Sequence, residues 1–488
     1  MQSRRLAMFA MVIISSISQH APVSAQVVPT HWRTFDMEAQ EAAVGYDWLR
    51  WSTGAIGHRL TGSIQGSMAE RAADSLFRLS GLPRVERFPF EAQAWSRGMV
   101  KLTIGDGTGF LHLAAVALAN TPLESDVEAT LIDAGNGLPM DLDGLGEALK
   151  GKVALVNIGL VDAPKGTSNL HRSEKAALAL ARGVSAILFV NQVEGGVLLT
   201  GTASIDGTLI PVPAACVATE DGTELRARLA QGQQLTARLS MSNHSDRVKA
   251  HNIIAEIPGS RWPEEVILVG GHLDSWDLAT GATDNGLGSF SILDLARAMQ
   301  AHTTRPGRTV RFVLFMGEEQ GLLGSRALVE HYRATGIIDQ VKCMINLDMS
   351  GNPRGFGVGG PGTWATQVTE VCDRIRAVDS VGFKGEVQEA IWLHSDHQPF
   401  LLAGVPVLYP LSDLGGHVYG CYHSSCDDIH LVDPMAMVNN VRRTGLLIYG
   451  LAALDTLPPH FKTDQLRERL IQAGLEGPLR IGGDWPWE

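Results

Sequence analysis

Largely apolar strands alternate with amphipathic helices from His251 onward, and this alternation limits the fold more than any other feature of the chain. Residues 266–269 are wholly apolar, residues 310–315 and 341–347 are mostly apolar, and a helical pattern covers residues 287–299. A strand that is apolar on both faces must be covered on both sides, as in the parallel sheets of α/β proteins. The sequence therefore predicts an α/β fold with a mixed, largely parallel central sheet between helices.

Side chains of types that bind metal ions follow each of these strands, and two more lie in the same half of the chain. They are His272 and Asp274 after the first strand, Glu318 and Glu319 after the second, Asp348 after the third, and Asp284 and His423. In open parallel sheets, the functional groups lie beyond the carboxyl ends of the strands. We therefore expect these side chains to meet at one edge of the sheet.

The composition of this set suits two zinc ions that share one bridging carboxylate. Zinc takes histidine nitrogen and carboxylate oxygen in near-tetrahedral sites, and a catalytic zinc keeps one position for water or substrate. Two such ions about 3.5–4 Å apart can hold a bridging water, lower its pKa toward about 7 and polarise a carbonyl. One further carboxylate would then be free for proton transfer. The set predicts peptide-bond hydrolysis, and Mn²⁺ or Co²⁺ could replace zinc on the same ligands.

Composition and charge indicate a protein with a small substrate. The 488 residues are 45% apolar, which is enough for more than one hydrophobic core, so we expect two domains. The formal net charge of -12 gives no electrostatic reason to expect a nucleic acid or an anionic membrane surface as partner.

The first 25 residues have the pattern of a cleaved secretory signal peptide. Arg4 and Arg5 precede an apolar run over residues 6–17, and small residues follow at Val23-Ser24-Ala25. The run is shorter than the roughly 20 residues that a membrane span needs, and no later stretch reaches that length. This pattern predicts export to the periplasm or the extracellular space.

Of the five cysteines, Cys421 and Cys426 flank His423, and the sequence leaves open whether they form a disulfide bond.

The remaining sequence divides into four further segments. Residues 26–122 form the N-terminal part of the catalytic domain, with helices between Glu41 and Leu82. Residues 123–245 are β-rich with one alanine-rich helix over residues 173–182; they hold no catalytic constellation and indicate an inserted, non-catalytic module. Residues 246–460 form the catalytic domain, and residues 461–488 a polar C-terminal tail.

Four short motifs carry a resemblance to a known family. They are Gly271-His272-Leu273-Asp274-Ser275-Trp276-Asp277, Ala282-Thr283-Asp284-Asn285-Gly286, Glu318-Glu319-Gln320-Gly321 and Tyr422-His423-Ser424-Ser425. With them the chain resembles the co-catalytic di-zinc exopeptidases of the aminopeptidase S and glutamate carboxypeptidase type, and within these the carboxypeptidase Q subfamily. The resemblance runs from about Tyr46 to Leu454. It includes the inserted module, which is similar to a protease-associated domain through residues 213–216 and 219–221.

The resemblance implies a zinc-exopeptidase fold and a role for each residue at the centre. Asp284 would bridge both ions, with His272 and Asp348 completing one site and Glu319 and His423 completing the other. Glu318 would be the general base, which takes a proton from the metal-bridging water and later delivers it to the leaving amine.

The resemblance also implies roles for residues around the ligands. Asp274 would accept the free ring N–H of His272, and the peptide bond between Asp284 and Asn285 would be cis. Tyr422 matches a residue that steadies the oxyanion in aminopeptidase S-like enzymes, although the carboxypeptidase Q subfamily has histidine there, so a packing role is the alternative. Asp396 would lie behind the ligands or line the substrate pocket.

Three other protein classes share parts of this pattern. A deacylase and dipeptidase family has a longer gap between its first histidine and the bridging aspartate, glutaminyl cyclases bind one zinc, and receptor-like relatives lack working ligands; all ligands are present here. The narrow expectation is hydrolysis of unblocked dipeptides, with aminopeptidase action on longer peptides as the alternative. The sequence does not determine whether the protein binds the amino end or the carboxyl end of its substrate. It also leaves open whether the protein is a monomer or a homodimer.

Overall fold

The computed structural model describes residues 28–487, so the predicted signal peptide lies outside the described residues. The α/β fold is confirmed. The strands in this part of the chain are β1 (Arg84–Gly105), β2 (Phe110–Leu113), β3 (Val116–Ala117), β4 (Glu124–Asp133), β5 (Val153–Asn157), β6 (Ala186–Val190), β7 (Ala214–Val217), β8 (Thr236–Ile257), β9 (Trp262–His272), β10 (Arg308–Phe315), β11 (Val341–Asn346), β12 (Gly355–Gly359), β13 (Glu386–Glu389) and β14 (Val407–Leu411).

The helices of the described residues cover both faces of the sheet. They are α1 (Thr30–Glu41), α2 (Gly45–Ala55), α3 (Ile64–Leu79), α4 (Pro139–Leu145), α5 (Arg172–Leu180), α6 (Thr219–Ala230), α7 (Leu287–Ala301), α8 (Leu323–Thr335), α9 (Trp364–Val378), α10 (His397–Leu402), α11 (Gly416–Tyr419), α12 (Pro434–Ala453), α13 (Thr463–Gln472) and α14 (Glu476–Ile481). None of these helices has the length and hydropathy needed to cross a bilayer.

The catalytic sheet has the strand order β13-β12-β14-β11-β9-β10-β8. Strand β9 pairs in parallel with both β10 and β11, so the carboxyl ends of these three strands lie at the same edge. Ile267 and Val269 of β9 pack into a core with α7 and α12, whereas Leu268 points into a second core with α8 and α10. This alternation explains why the strand is apolar throughout.

The inserted module has its own sheet, in the order β4-β5-β6-β7-β3. Its strands from β4 to β7 pair in parallel and are covered by α4 and α5 on one face and α6 on the other. Strand β8 joins the two sheets, because its first half pairs with β4 and its last residues pair with β10. The predicted boundary between residues 245 and 246 falls inside β8, and the division into domains stays a prediction.

The C-terminal segment differs in character from the polar tail that the sequence predicts. Residues 463–487, called the tail below, form α13 and α14 and end in Trp485-Pro486-Trp487. Leu466, Leu470 and Leu479 are buried against the α8 side of the catalytic sheet. Three apolar side chains spaced among many charged ones are enough to fix the tail to the domain.

Candidate metal centre

The candidate ligands meet where the three parallel strands end. The segments that follow β9, β10 and β11 carry most of them, and the loop after α11 adds His423. The six side chains line one cavity of about 250 Å³, which holds His272, Asp284, Glu318, Glu319, Asp348 and His423. One cavity thus contains every side chain that the sequence assigns to metal binding and proton transfer.

Asp284 lies between the two histidines. Its Oδ1 is 3.2 Å from His272 Nε2, and its Oδ2 is 2.9 Å from His423 Nε2. Each carboxylate oxygen therefore faces a different histidine. This divides the cluster into two halves that share one side chain.

Each half contains one further carboxylate. Asp348 Oδ1 lies 3.3 Å from His272 Nε2, and Glu319 Oε2 lies 3.0 Å from His423 Nε2. Glu318 stands further back, with Oε2 4.0 Å from His272 Nε2. The ligand atoms of His272, Asp284 and Glu319 all lie within 4.8 Å of one another, which is a spacing that a metal ion could close.

The electrostatics of the cluster fit bound cations. Burial raises the pKa of Glu319 to about 7, in opposition to His423, and the charge of Asp284 adds to the rise. Burial likewise raises the pKa of Glu318 well above its usual value, with Asp348 and Glu319 contributing. Glu319 Oε1 is buried and accepts no hydrogen bond from any described residue. Buried carboxylates in this situation are ordinarily paired or bind metal ions, so the donor set fits zinc.

Asn285 and Asp427 hold the Asp284 segment in place. Asn285 donates through Nδ2 to the carbonyl of Leu347, and its Oδ1 accepts from Met349 N, so it ties the β9 and β11 segments together. Asp427 Oδ1 accepts from Thr283 N at 2.8 Å, and its Oδ2 accepts from Asp284 N at 3.0 Å. The Asp284–Asn285 peptide bond is cis, as the resemblance implies.

The loop that carries Glu318 and Glu319 is fixed by groups from the N-terminal segment and from β9. Gly317 adopts φ +79°, a conformation that favours glycine. Its N–H donates to Thr61 Oγ1 at 2.7 Å, and Glu318 N donates to Asp274 Oδ1 at 3.3 Å. The backbone on both sides of the candidate base is therefore restrained.

Arg59 holds a neighbouring loop and takes no position among the ligands. Its side chain is buried and donates to the carbonyls of Leu273, Thr280 and Gly281 at 2.6, 2.7 and 2.8 Å. These bonds restrain the segment that leads from His272 to Asp284.

Two aspartates lie behind the ligands. His272 Nδ1 is 3.1 Å from the backbone carbonyl of Asp274 and 3.7 Å from its carboxylate, so the carbonyl is the nearer acceptor. The carboxylate is occupied by Thr61 and by Glu318 N. Asp396 is fully buried, does not line the cavity, and has its pKa raised by burial to about 8.

Tyr422 and the disulfide bond shape the loop around His423. The Tyr422 ring stacks on the His423 ring with centroids 3.8 Å apart, and it lines the cavity. Burial raises the pKa of its hydroxyl above the usual value. Cys421 and Cys426 form a disulfide bond, which closes the loop that holds His423 at φ +52°.

The inserted module contributes side chains to the cavity, which its sequence does not reveal. Arg172 and Glu174, in the first turn of α5, both line it. Arg172 Nη2 is 3.0 Å from His423 Nδ1, and its buried Nε donates to no described residue. The module therefore supplies both a cation and a carboxylate to the catalytic cavity.

Comparison with known proteins agrees with this geometry. Residues 252–446 match the family model of Peptidase family M28, and residues 117–225 match that of the PA domain. Carboxypeptidase Q of Xenopus laevis is 26% identical over 422 residues, which cover 85% of this chain and 87% of that protein.

Solved structures share the fold. A peptidase M28 precursor from Shewanella amazonensis superposes with a TM-score of 0.76 at 23% identity, over 88% of this chain and 98% of that chain. A zinc aminopeptidase from Bacillus subtilis gives a TM-score of 0.62 at 23% identity, over 84% and 94% of the two chains. The chain is therefore similar to Peptidase family M28 over residues 252–446 and to the PA domain over residues 117–225, and it shares the fold of these solved peptidases.

Proposed function

We propose that this chain is a zinc-dependent exopeptidase that hydrolyses short peptides, and unblocked dipeptides in particular. The observation that carries the proposal is the convergence of two histidines and four carboxylates in one cavity of about 250 Å³. That volume is below the roughly 300–1,000 Å³ of pockets for drug-sized ligands. A cavity of this size suits a small substrate better than a folded protein or a long peptide.

Five of these residues would hold two zinc ions. His272 and Asp348 would form one site, Glu319 and His423 the other, and Asp284 would contribute one oxygen to each. When bound, zinc supplies Lewis-acid chemistry, because it polarises a carbonyl and makes water more acidic. Mn²⁺ or Co²⁺ would fit the same donors.

Glu318 would move the proton. It lines the cavity but lies further from the histidines than the other carboxylates do, so it is available to a water and to the scissile amide. Its carboxylate would accept a proton from the attacking water and then transfer it to the nitrogen of the leaving amine. Proton transfer by a positioned side chain is typically worth about 10²–10⁴-fold in rate.

Tyr422 would stabilise negative charge on the former carbonyl oxygen. Because burial keeps its hydroxyl protonated, the side chain can donate a hydrogen bond from its place in the cavity. Asp274 and Asp396 would act from behind, Asp274 by orienting His272 and restraining the Glu318 backbone. Their effect would be on the position of the ligands rather than on the substrate.

Charged groups on the PA-domain side support an unblocked substrate. Arg172 can pair with a free α-carboxylate, and Glu174 can pair with a free α-amine. Both lie in the same turn of α5, on one wall of the cavity. Aminopeptidase action on longer peptides is the second candidate function. The similarity to the zinc aminopeptidase from Bacillus subtilis is the observation that favours it. Export would follow from the signal pattern of the first 25 residues.

One dipeptide and its two blocked forms test the proposal. The zinc-loaded protein should hydrolyse a dipeptide such as Ala-Leu at least about tenfold faster, in kcat/KM, than both its N-acetyl form and its C-terminal amide, because each block removes one charge that the cavity recognises. If the protein cleaves the amide as fast as the free dipeptide and does not cleave the N-acetyl form, it is an aminopeptidase. Cleavage of none of the three would contradict the proposal.

A further inference from the structure

The tail forms one wall of the catalytic cavity. Leu479, Gly482 and Asp484 line the same cavity as the metal-binding side chains, although they lie more than 50 residues beyond His423 in the sequence. Helix α14 also packs against α5 of the PA domain, opposite the catalytic sheet. The tail therefore bridges both domains at the place where the substrate would bind.

Asp484 links the tail to the two loops that carry catalytic groups. Its carboxylate accepts two hydrogen bonds of 2.6 Å from Arg326 and one of 2.7 Å from Gln398 Nε2. Arg326 Nε in turn donates to the carbonyl of Gly321, in the loop after Glu319. Gln398 Oε1 accepts from the backbone N–H of His394, in the loop that precedes Ser395 and Asp396. A bidentate, charge-assisted pair of this kind fixes position as well as adding energy.

The tail also borders a second space. A second groove of about 520 Å³ runs along its outer side, between α5, the loop over residues 203–211 and the tail itself. Both spaces are bordered by Ile205, Arg326, Gly482 and Asp484. A Cβ atom at Gly482 would lie 4.0 Å from Ile205 Cγ2, so the tail backbone is in near contact with the PA domain. These residues form the partition between cavity and groove.

We propose that this partition, made by Gly482 and Asp484 with Ile205 and Arg326, sets the length of peptide that the centre accepts. The inference rests on the proposed peptidase function. A dipeptide is close in size to the cavity, whereas further residues that extend toward the tail would have to occupy the position of the partition to reach the groove beyond it. The tail is then a specificity-determining segment, and it acts by exclusion rather than by contact with the reacting atoms.

Alanine peptides of two, three and four residues measure this property directly. For the zinc-loaded wild-type protein, kcat/KM should fall at least about tenfold from the dipeptide to the tetrapeptide. Asp484→Ala removes the bonds that fix the partition, and a chain ending at Leu475 removes the partition itself. In both variants the ratio of tetrapeptide to dipeptide kcat/KM should rise about tenfold or more. Arg467→Ala, an exposed change on α13, should leave the ratio unchanged.

The outcomes separate the two proposals. If the zinc-loaded wild-type protein cleaves none of the three peptides, the proposed function fails and this inference fails with it. If the wild-type protein prefers the dipeptide and the two variants keep the same ratio, the tail does not set the length and the peptidase function stands. Zinc content measured for each variant shows whether the centre is intact, and Asp484→Ala provides the test if the shortened chain does not fold.

Discussion

Glu318→Gln is expected to lower kcat by about 10²–10⁴-fold while the protein keeps its full zinc content. Glutamine has nearly the same shape as glutamate but cannot accept the proton of the attacking water. Glu318 Oε2 lies 4.0 Å from His272 Nε2, further than the oxygens of Asp284 and Asp348, so its removal should leave the ligand set complete. Steady-state kinetics and elemental analysis on the same preparation measure both quantities.

The adjacent residue provides the matched control. Glu319→Gln makes the same chemical change one position along the chain, at a side chain whose Oε2 is 3.0 Å from His423 Nε2. This variant should lose zinc as well as activity. Equal loss of zinc from the two variants would contradict the assignment of Glu318 as base and Glu319 as ligand.

Asp284→Ala is expected to remove both zinc ions and to lower activity by at least about 10³-fold, since metal ions contribute several kcal/mol to such reactions. Among the described side chains, Asp284 is the one carboxylate that faces both histidines, with a different oxygen toward each. Its loss therefore weakens both halves of the centre together. Zinc content after dialysis against buffer without metal is the measurement.

A variant in one half of the centre distinguishes bridging from ordinary binding. Asp348→Ala removes a carboxylate that lies near His272 and should cost one ion while the other is retained. If the Asp284→Ala variant also retains one tightly held ion, Asp284 does not contribute to both sites.

The sequence predicts the catalytic sheet and the candidate ligands because both depend on local patterns. Each of β9, β10 and β11 contains a mostly apolar stretch, and His272, Glu318 and Asp348 lie within three residues of the ends of these stretches. Parallel pairing of these strands then brings residues such as His272 and Glu319 to one edge, whatever the details of packing. Predicting these features therefore requires no information about contacts between distant parts of the chain.

Asp427 and Arg172 act across long sequence distances, and no local pattern predicts them. Asp427 accepts hydrogen bonds from Thr283 and Asp284, 144 and 143 residues away, and no local motif marks it. Arg172 resembles any basic residue at the start of a helix until the PA domain packs against the catalytic domain. Their positions follow from tertiary packing, which a pattern of residue types does not specify.

The tail and strand β8 show the same limit. The tail is mostly polar, and its attachment depends on three leucines and on Asp484, whose partners Arg326 and Gln398 are 158 and 86 residues away. Strand β8 crosses a predicted domain boundary because its two halves pair with strands of different sheets. In both cases, contacts with distant parts of the chain determine the structure of the segment, and its own residue pattern does not.

Titration of the metal-free protein with zinc, with dipeptide hydrolysis followed at each step, tests the central claim most directly. We expect activity to appear as zinc is added and to reach its plateau at two ions per chain, with His272, Asp284, Glu319, Asp348 and His423 as the ligands. Two tightly bound ions without hydrolysis of any dipeptide or aminoacyl substrate would contradict it.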